Sequence, residues 1–89
     1  MLIFKLIFEE KYGKIIDYCL YGDGYIVVAF YNGYICHVST HSTEMNTELN
    51  SDRIFQKIDA ICVNEDLFKC AVAGENEIKI MDMTNWQEI

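Results

Sequence analysis

The 89-residue sequence predicts an all-β fold: antiparallel four-stranded units, about two of them, forming an open arc rather than a closed ring. Three observations predict it. Short runs of β-branched and aromatic residues succeed one another, with no stretch of helical period. The chain contains no proline, so Gly, Asn and Asp mark the turns between them. The pattern then restarts: Asp17, Ala29 and Ile35 recur as Asp59, Ala71 and Ile78, at offsets of 42, 42 and 43 residues.

The elements follow in order. Leu2 to Phe8 reads as a strand, the outer strand of a preceding unit over residues 1–8. Its apolar run is broken by Lys5 and stopped by Glu9 and Glu10. It is too short to span a bilayer and lacks the cleavage site of a signal peptide, so no membrane insertion and a cytosolic location are expected. Ile15 to Tyr21 is the next strand, and Gly22-Asp23-Gly24 links it, as an outer strand, to a central one. That central strand, Tyr25 to Tyr31, is continuously apolar, as a strand covered on both faces should be. Asn32-Gly33 is a strong hairpin signal and introduces the strand Tyr34 to Ser39. Thr43 to Leu49 is more polar, as on an outer edge. In the second half, Lys57 to Val63, Leu67 to Ala73 and Glu77 to Met83 read as strands. Asn64-Glu65-Asp66 and Gly74-Glu75-Asn76 turn between them, and Trp86 to Ile89 begins one more.

Composition narrows the function classes. Hydrophobic residues make up 52% of the chain, ample for a core. Seven basic against fourteen acidic residues give a net charge of −7, which repels phosphate backbones and argues against nucleic acid as a ligand. The four cysteines, Cys19, Cys36, Cys62 and Cys70, lie in apolar runs without a Cys-x-x-Cys pair, so they read as reduced, structural residues.

A four-stranded unit repeating at this interval has the spacing of a WD40 propeller blade. The run Val72 to Asp82, VAGENEIKIMD, has the layout that ends such a repeat. Ile78, Lys79, Ile80, Met81 and Asp82 form its signature, with Met81-Asp82 in the Trp-Asp place. Ala29 to Ser39 repeats the layout with Val38-Ser39 there, although the Gly-His dipeptide that opens many repeats is absent. Residues 14–50 are then one blade and 55–89 the next.

Three runs carry a more specific likeness: YGKIIDYCLYGDGYIVVAF, GYICHVSTHSTEMNTEL and NEIKIMDMTNWQEI. Over most of its length the chain resembles one segment of the WD-repeat protein nineteen family, a WD-repeat subunit of intraflagellar transport complex A. The resemblance implies an arc of about two blades of a first propeller. It also implies a non-catalytic scaffold that packs against other complex A subunits in retrograde ciliary transport, at the cilium and its base, with no cofactor.

Other chemistries find little support in the residues. Gly22-Asp23-Gly24 could cradle a phosphate, but a strand follows where a phosphate loop needs a helix, so Gly22, Asp23, Gly24, Asn32, Gly33, Gly74 and Asn76 read as structural turns. Cys36 and His37 point to opposite faces of one strand and cannot chelate one ion together. Ser39 or Cys36 with His41 lacks the strained elbow of a nucleophile. Asp17 and Asp59, at matching repeat positions, read as structural rather than as a carboxylate pair. Trp86 is an interface candidate, expected to pack between its blade and a neighbour missing from this chain. Two alternatives stay open: a self-contained small β-protein binding a ligand or metal through Cys and His, and a truncated product without a function of its own. Because two blades cannot close a ring, the isolated chain is expected to associate with itself.

Overall fold

The computed structural model describes residues 9–10, 12–39 and 53–89, and these form two antiparallel sheets. The first holds β1 (Ile15–Tyr21), β2 (Tyr25–Phe30) and β3 (Ile35–Ser39), in that order. The second holds β4 (Ala60–Asn64), β5 (Lys69–Gly74), β6 (Glu77–Asp82) and the short β7 (Gln87–Glu88). Strands follow the sequence order in each sheet, as in a meander, and no ring closes among the described residues. The strands expected at Leu2 to Phe8 and Thr43 to Leu49 lie outside the described residues.

Alternation decides what each face meets. In the first sheet, Val27, Ala29 and Ile35 point to one side and join Ile58, Ile61, Cys70, Val72, Met81, Met83 and Trp86 in a core between the sheets. Ile26, Val28, Phe30, Cys36 and Val38 point to the other side and form a second cluster, which Tyr12, Ile15 and Tyr34 flank. β2 is therefore buried on both faces after Tyr25, which is why its sequence does not alternate.

The two sheets meet principally through β1 and β4. This makes β1 the inner strand of its blade, not an outer one, so Gly22-Asp23-Gly24 turns from the inner strand to its neighbour. The contact is polar at its centre. Asp17 Oδ2 accepts a hydrogen bond from the Ile61 amide at 2.9 Å, and Cys19 Sγ donates to the Ile61 carbonyl at 3.7 Å.

The registers correct the internal alignment. Ala29 pairs with Ile35, whereas the residue that pairs with Ile78 is Ala73, not Ala71. Asp17 pairs with Ala29, whereas Ala73 pairs with Ala60, so the structural counterpart of Asp17 is Ala60 rather than Asp59. One extra residue in the β4–β5 corner and one fewer in the β5–β6 corner cause the shift. A constant offset cannot register two compensating changes, and each single-residue slip turns a side chain to the opposite face. Asp59 is exposed, and its amide donates to the Ala73 carbonyl at 2.8 Å.

The segment 53–59 carries the chain from one sheet to the other and lies against both. The Ile54 amide donates to the Gly33 carbonyl at 2.8 Å, and Arg53 Nε donates to the Asn32 carbonyl at 2.9 Å. A Cβ on Gly33 would stand 1.8 Å from the Phe55 carbonyl oxygen, and one on Gly74 would stand 2.4 Å from that of Lys57. Gly33 also has a φ of +97°, so turn geometry and close approach both demand glycine there. Gly74 ends β5, and the hairpin turn falls on Glu75 and Asn76, with φ of 52° and 62°. Two positive φ values in a two-residue loop are those of a type I′ turn, whose twist suits paired strands.

Candidate functional site

The face of the second sheet that turns away from the first is the surface left open. Cys62, Ala71 and Ile80 share one register row on it, and Ala60, Ala73 and Ile78 share the next. Ile78 is 70% exposed and Ile80 40% exposed, and Cys62 is exposed beside the half-buried Ala71 and Ala73. Small residues at the centre and isoleucines on β6 make a shallow apolar surface on one sheet. The first sheet presents the equivalent side, through Val27, Ala29 and Ile35, to β4–β6, where it is fully buried. The open face thus repeats, one blade later, the chemistry that already holds two sheets together.

The signature residues divide between the two faces of β6. Ile78 and Ile80 belong to the open face. Met81, 5% exposed, fills the inter-sheet core, and Lys79 turns the same way as Met81. Lys79 Nζ donates to the Ile54 carbonyl at 3.2 Å, lies 4.7 Å from the centre of the Phe55 ring and reaches Glu88 at 4.0 Å. Asp82 caps the β6–β7 turn, accepting from the Thr84 hydroxyl and, at 2.9 Å, from the Thr84 amide. These two bonds hold its carboxyl below the usual range.

Trp86 packs inside the molecule rather than against a following blade. It is 6% exposed, belongs to the inter-sheet core, and its ring centre lies 5.7 Å from that of His37 in the first sheet. His37 is the hub of an aromatic group that single residues do not announce. Tyr21 Oη and His37 Nε2 share a hydrogen bond, Tyr21 stacks on Tyr25 at 5.3 Å, and Phe68 stands 6.1 Å from His37. Burial pushes the His37 pKa down, which favours the neutral ring. Phe68 and Trp86 adopt φ of 52° and 55°, a conformation bulky residues avoid, and both place their rings against His37. Ring burial offsets the backbone cost. An aromatic residue directly before or within a turn was the available signal, but only the fold reveals that three such turns converge.

Gly22 and Gly24 take φ of 56° and 97° in the β1–β2 corner, which also contains Asp23. Cys36 and Cys70 are buried, Cys19 is half-buried, and Cys62 departs from the core reading by facing outward. Burial pushes the Cys70 thiol up to about 12 and raises that of Cys19, so both stay protonated at neutral pH. Among the described residues no group of three or more His, Cys, Asp or Glu side chains could hold a metal ion. Ser39 closes β3, but its side chain, like His41, lies outside the described set.

Two antiparallel sheets, stacked face to face and meeting at their inner strands, are the blades of a WD40-type β-propeller. The family model for the WDR19 first beta-propeller matches residues 3–89, and the chain belongs to that family. It is 35% identical over 83 residues to mouse WD repeat-containing protein 19, covering 92% of this chain and 6% of that protein. It is 37% identical over 80 residues to Caenorhabditis elegans WD repeat-containing protein dyf-2, covering 89% of this chain and 6% of that one. The human WD repeat-containing protein 19 is 34% identical over 83 residues, again 92% and 6%. The chain therefore spans about 6% of the length of the curated relatives it matches.

Proposed function

We propose that this chain is a non-catalytic protein-interaction scaffold, part of a propeller subunit of intraflagellar transport complex A that acts in retrograde ciliary transport and cilium assembly. In this reading residues 14–50 and 55–89 are consecutive blades, and residues 1–8 are the outer strand of the blade before them. Its partners are other subunits of that complex, and its location is the cytoplasm, the ciliary base and the cilium. Family membership supports the assignment. The observation that carries the scaffold reading is the open apolar face of Cys62, Ala71, Ala73, Ile78 and Ile80, built like the buried face one blade earlier. Alone in solution, the chain covers that face by association with itself.

Light scattering on the purified chain tests the scaffold reading. The expected result is a mass above that of one chain, reduced to one chain by the double substitution Ile78→Lys, Ile80→Glu, with the thermal melt unchanged. A monodisperse unsubstituted monomer with a cooperative melt would overturn it. The ciliary assignment is tested separately. A tagged copy in ciliated cells should gather at the ciliary base and co-purify with complex A subunits, and failure to do both removes that assignment alone.

A further inference from the structure

A cleft of about 170 Å³ opens where the 53–59 segment passes β6 and β7, on a different side from the open apolar face. Its floor is Met81 and Trp86, and its walls are Ile54 and Gln87. Arg53, Lys79 and Glu88 supply its charge.

The arginine is the informative residue. The chain carries twice as many acidic as basic groups, fourteen against seven. Even so, the partners of the Arg53 guanidinium are backbone carbonyls, Asn32 through Nε at 2.9 Å and Gln56 through a terminal nitrogen at 3.3 Å. Among the described residues no carboxylate pairs with it. Those two bonds hold the guanidinium in place and use only two of its five donors, so the rest of the fork stays exposed and pre-aimed. Lys79 adds a second cation, itself steadied by the Ile54 carbonyl and the Phe55 ring. The one carboxylate among the cleft's lining residues, Glu88, is 55% exposed, and among the described residues its ion pair is with Lys79, at the 4.0 Å limit. Two fixed cations over a buried aromatic and thioether floor, facing one loose carboxylate, form a local positive spot on a strongly negative chain.

We propose that this cleft docks an acidic segment of a partner protein, a glutamate or aspartate side chain pairing with Arg53 and Lys79 while displacing Glu88. The fork of Arg53 suits a carboxylate held by two parallel bonds. The size of the cleft admits a single acidic side chain with its stem against Met81 and Trp86. The surrounding negative charge rejects acidic chains elsewhere, so binding is confined to this spot. This rests on the scaffold reading and adds the partner's chemistry to it.

The test is fluorescence anisotropy of a dye-labelled peptide of four glutamates flanked by glycines, titrated with the 89-residue chain at low salt. The same peptide with glutamines is the control. Saturable binding of the glutamate peptide alone is expected. Glu88→Lys, a substitution at an exposed edge, reverses a charge inside the cleft and should tighten binding about tenfold, an effect that falls as salt is raised. Arg53→Gln should weaken it about tenfold while leaving the circular dichroism spectrum unchanged. No saturable binding by either the unsubstituted chain or the Glu88→Lys variant would overturn the proposal. So would binding that both substitutions leave unaltered, or a Glu88→Lys effect on the mass of the particle in place of peptide affinity, which would make the occupant a second copy. The light-scattering result on Ile78 and Ile80 concerns the opposite face of β6, so failure of the docking proposal is distinguishable from failure of the scaffold reading.

Discussion

Replacing Gly33 with alanine tests the account of how the two sheets are joined. The perturbation is one methyl group. Its carbon would stand 1.8 Å from the Phe55 carbonyl oxygen and 2.9 Å from the Phe55 carbonyl carbon, both backbone atoms. A contact that short is not relieved by a rotamer change, so the 53–59 segment must move away. Moving it breaks the bond between the Ile54 amide and the Gly33 carbonyl, worth about 1 kcal/mol. It also loosens Phe55 and Ile58, which are 4% and 1% exposed in the inter-sheet core. Partial loss of such contacts costs about 1–3 kcal/mol. The φ of +97° adds about 1–2 kcal/mol for any side chain. The sum is about 3–6 kcal/mol, a large part of the ~5–15 kcal/mol that holds a small domain together. A thermal melt by circular dichroism should therefore fall by at least about 12 °C, or show no folded baseline. Gly22→Ala is the comparison, because its φ of +56° is strained but its nearest neighbour is 3.5 Å away, at the flexible Glu65 tip. It should cost about 1 kcal/mol. If Gly33→Ala and Gly22→Ala melt within a few degrees of each other at equal concentration, the close-approach argument is wrong.

Three further outcomes follow from named contacts. Asp17→Ala removes the carboxylate that accepts the Ile61 amide across the seam at 2.9 Å and should lower stability by about 1.5–3 kcal/mol in urea unfolding, more than Asp59→Ala, whose side chain is exposed. Glu75→Asn places a residue that tolerates positive φ at the first position of the type I′ turn and should raise stability by about 0.5–1 kcal/mol in the same assay. Stability should also decline with acid. The His37 pKa is lowered in the fold from 6.5 by burial, so the unfolded chain takes up a proton that the fold refuses. The neutral ring's contribution is intact above pH 6.5 and is lost as the pH falls through that value toward the folded pKa. Urea midpoints between pH 7.5 and 5.5 should show this loss, and His37→Asn should flatten it.

The two sheets were legible because strand formation is local. Alternation, β-branching and glycine corners identify strands without reference to anything distant, and the seven strands described fall on runs that read as strands. The Asn32-Gly33 corner was equally plain. Its second role was not, since it depends on Phe55, twenty-two positions away and brought close only by the crossing segment. The same limit hid the aromatic group. Tyr21, His37, Phe68 and Trp86 are unremarkable one at a time and meet only because the turns of both sheets converge on one side. Arg53 gave no signal at all, for it lies between elements and bonds to carbonyls, which every residue has.

By itself, then, the chain's order of residues determined the all-β class, the corners and the propeller family, because these rest on periodicity and on short runs of specific residues. Tertiary structure alone decided which strand is innermost, which aspartate bridges the sheets, and which face of β6 stays open. Each of those depends on strand register, and register is set by corner length together with the packing of distant faces, where a single residue more or less reverses what is buried.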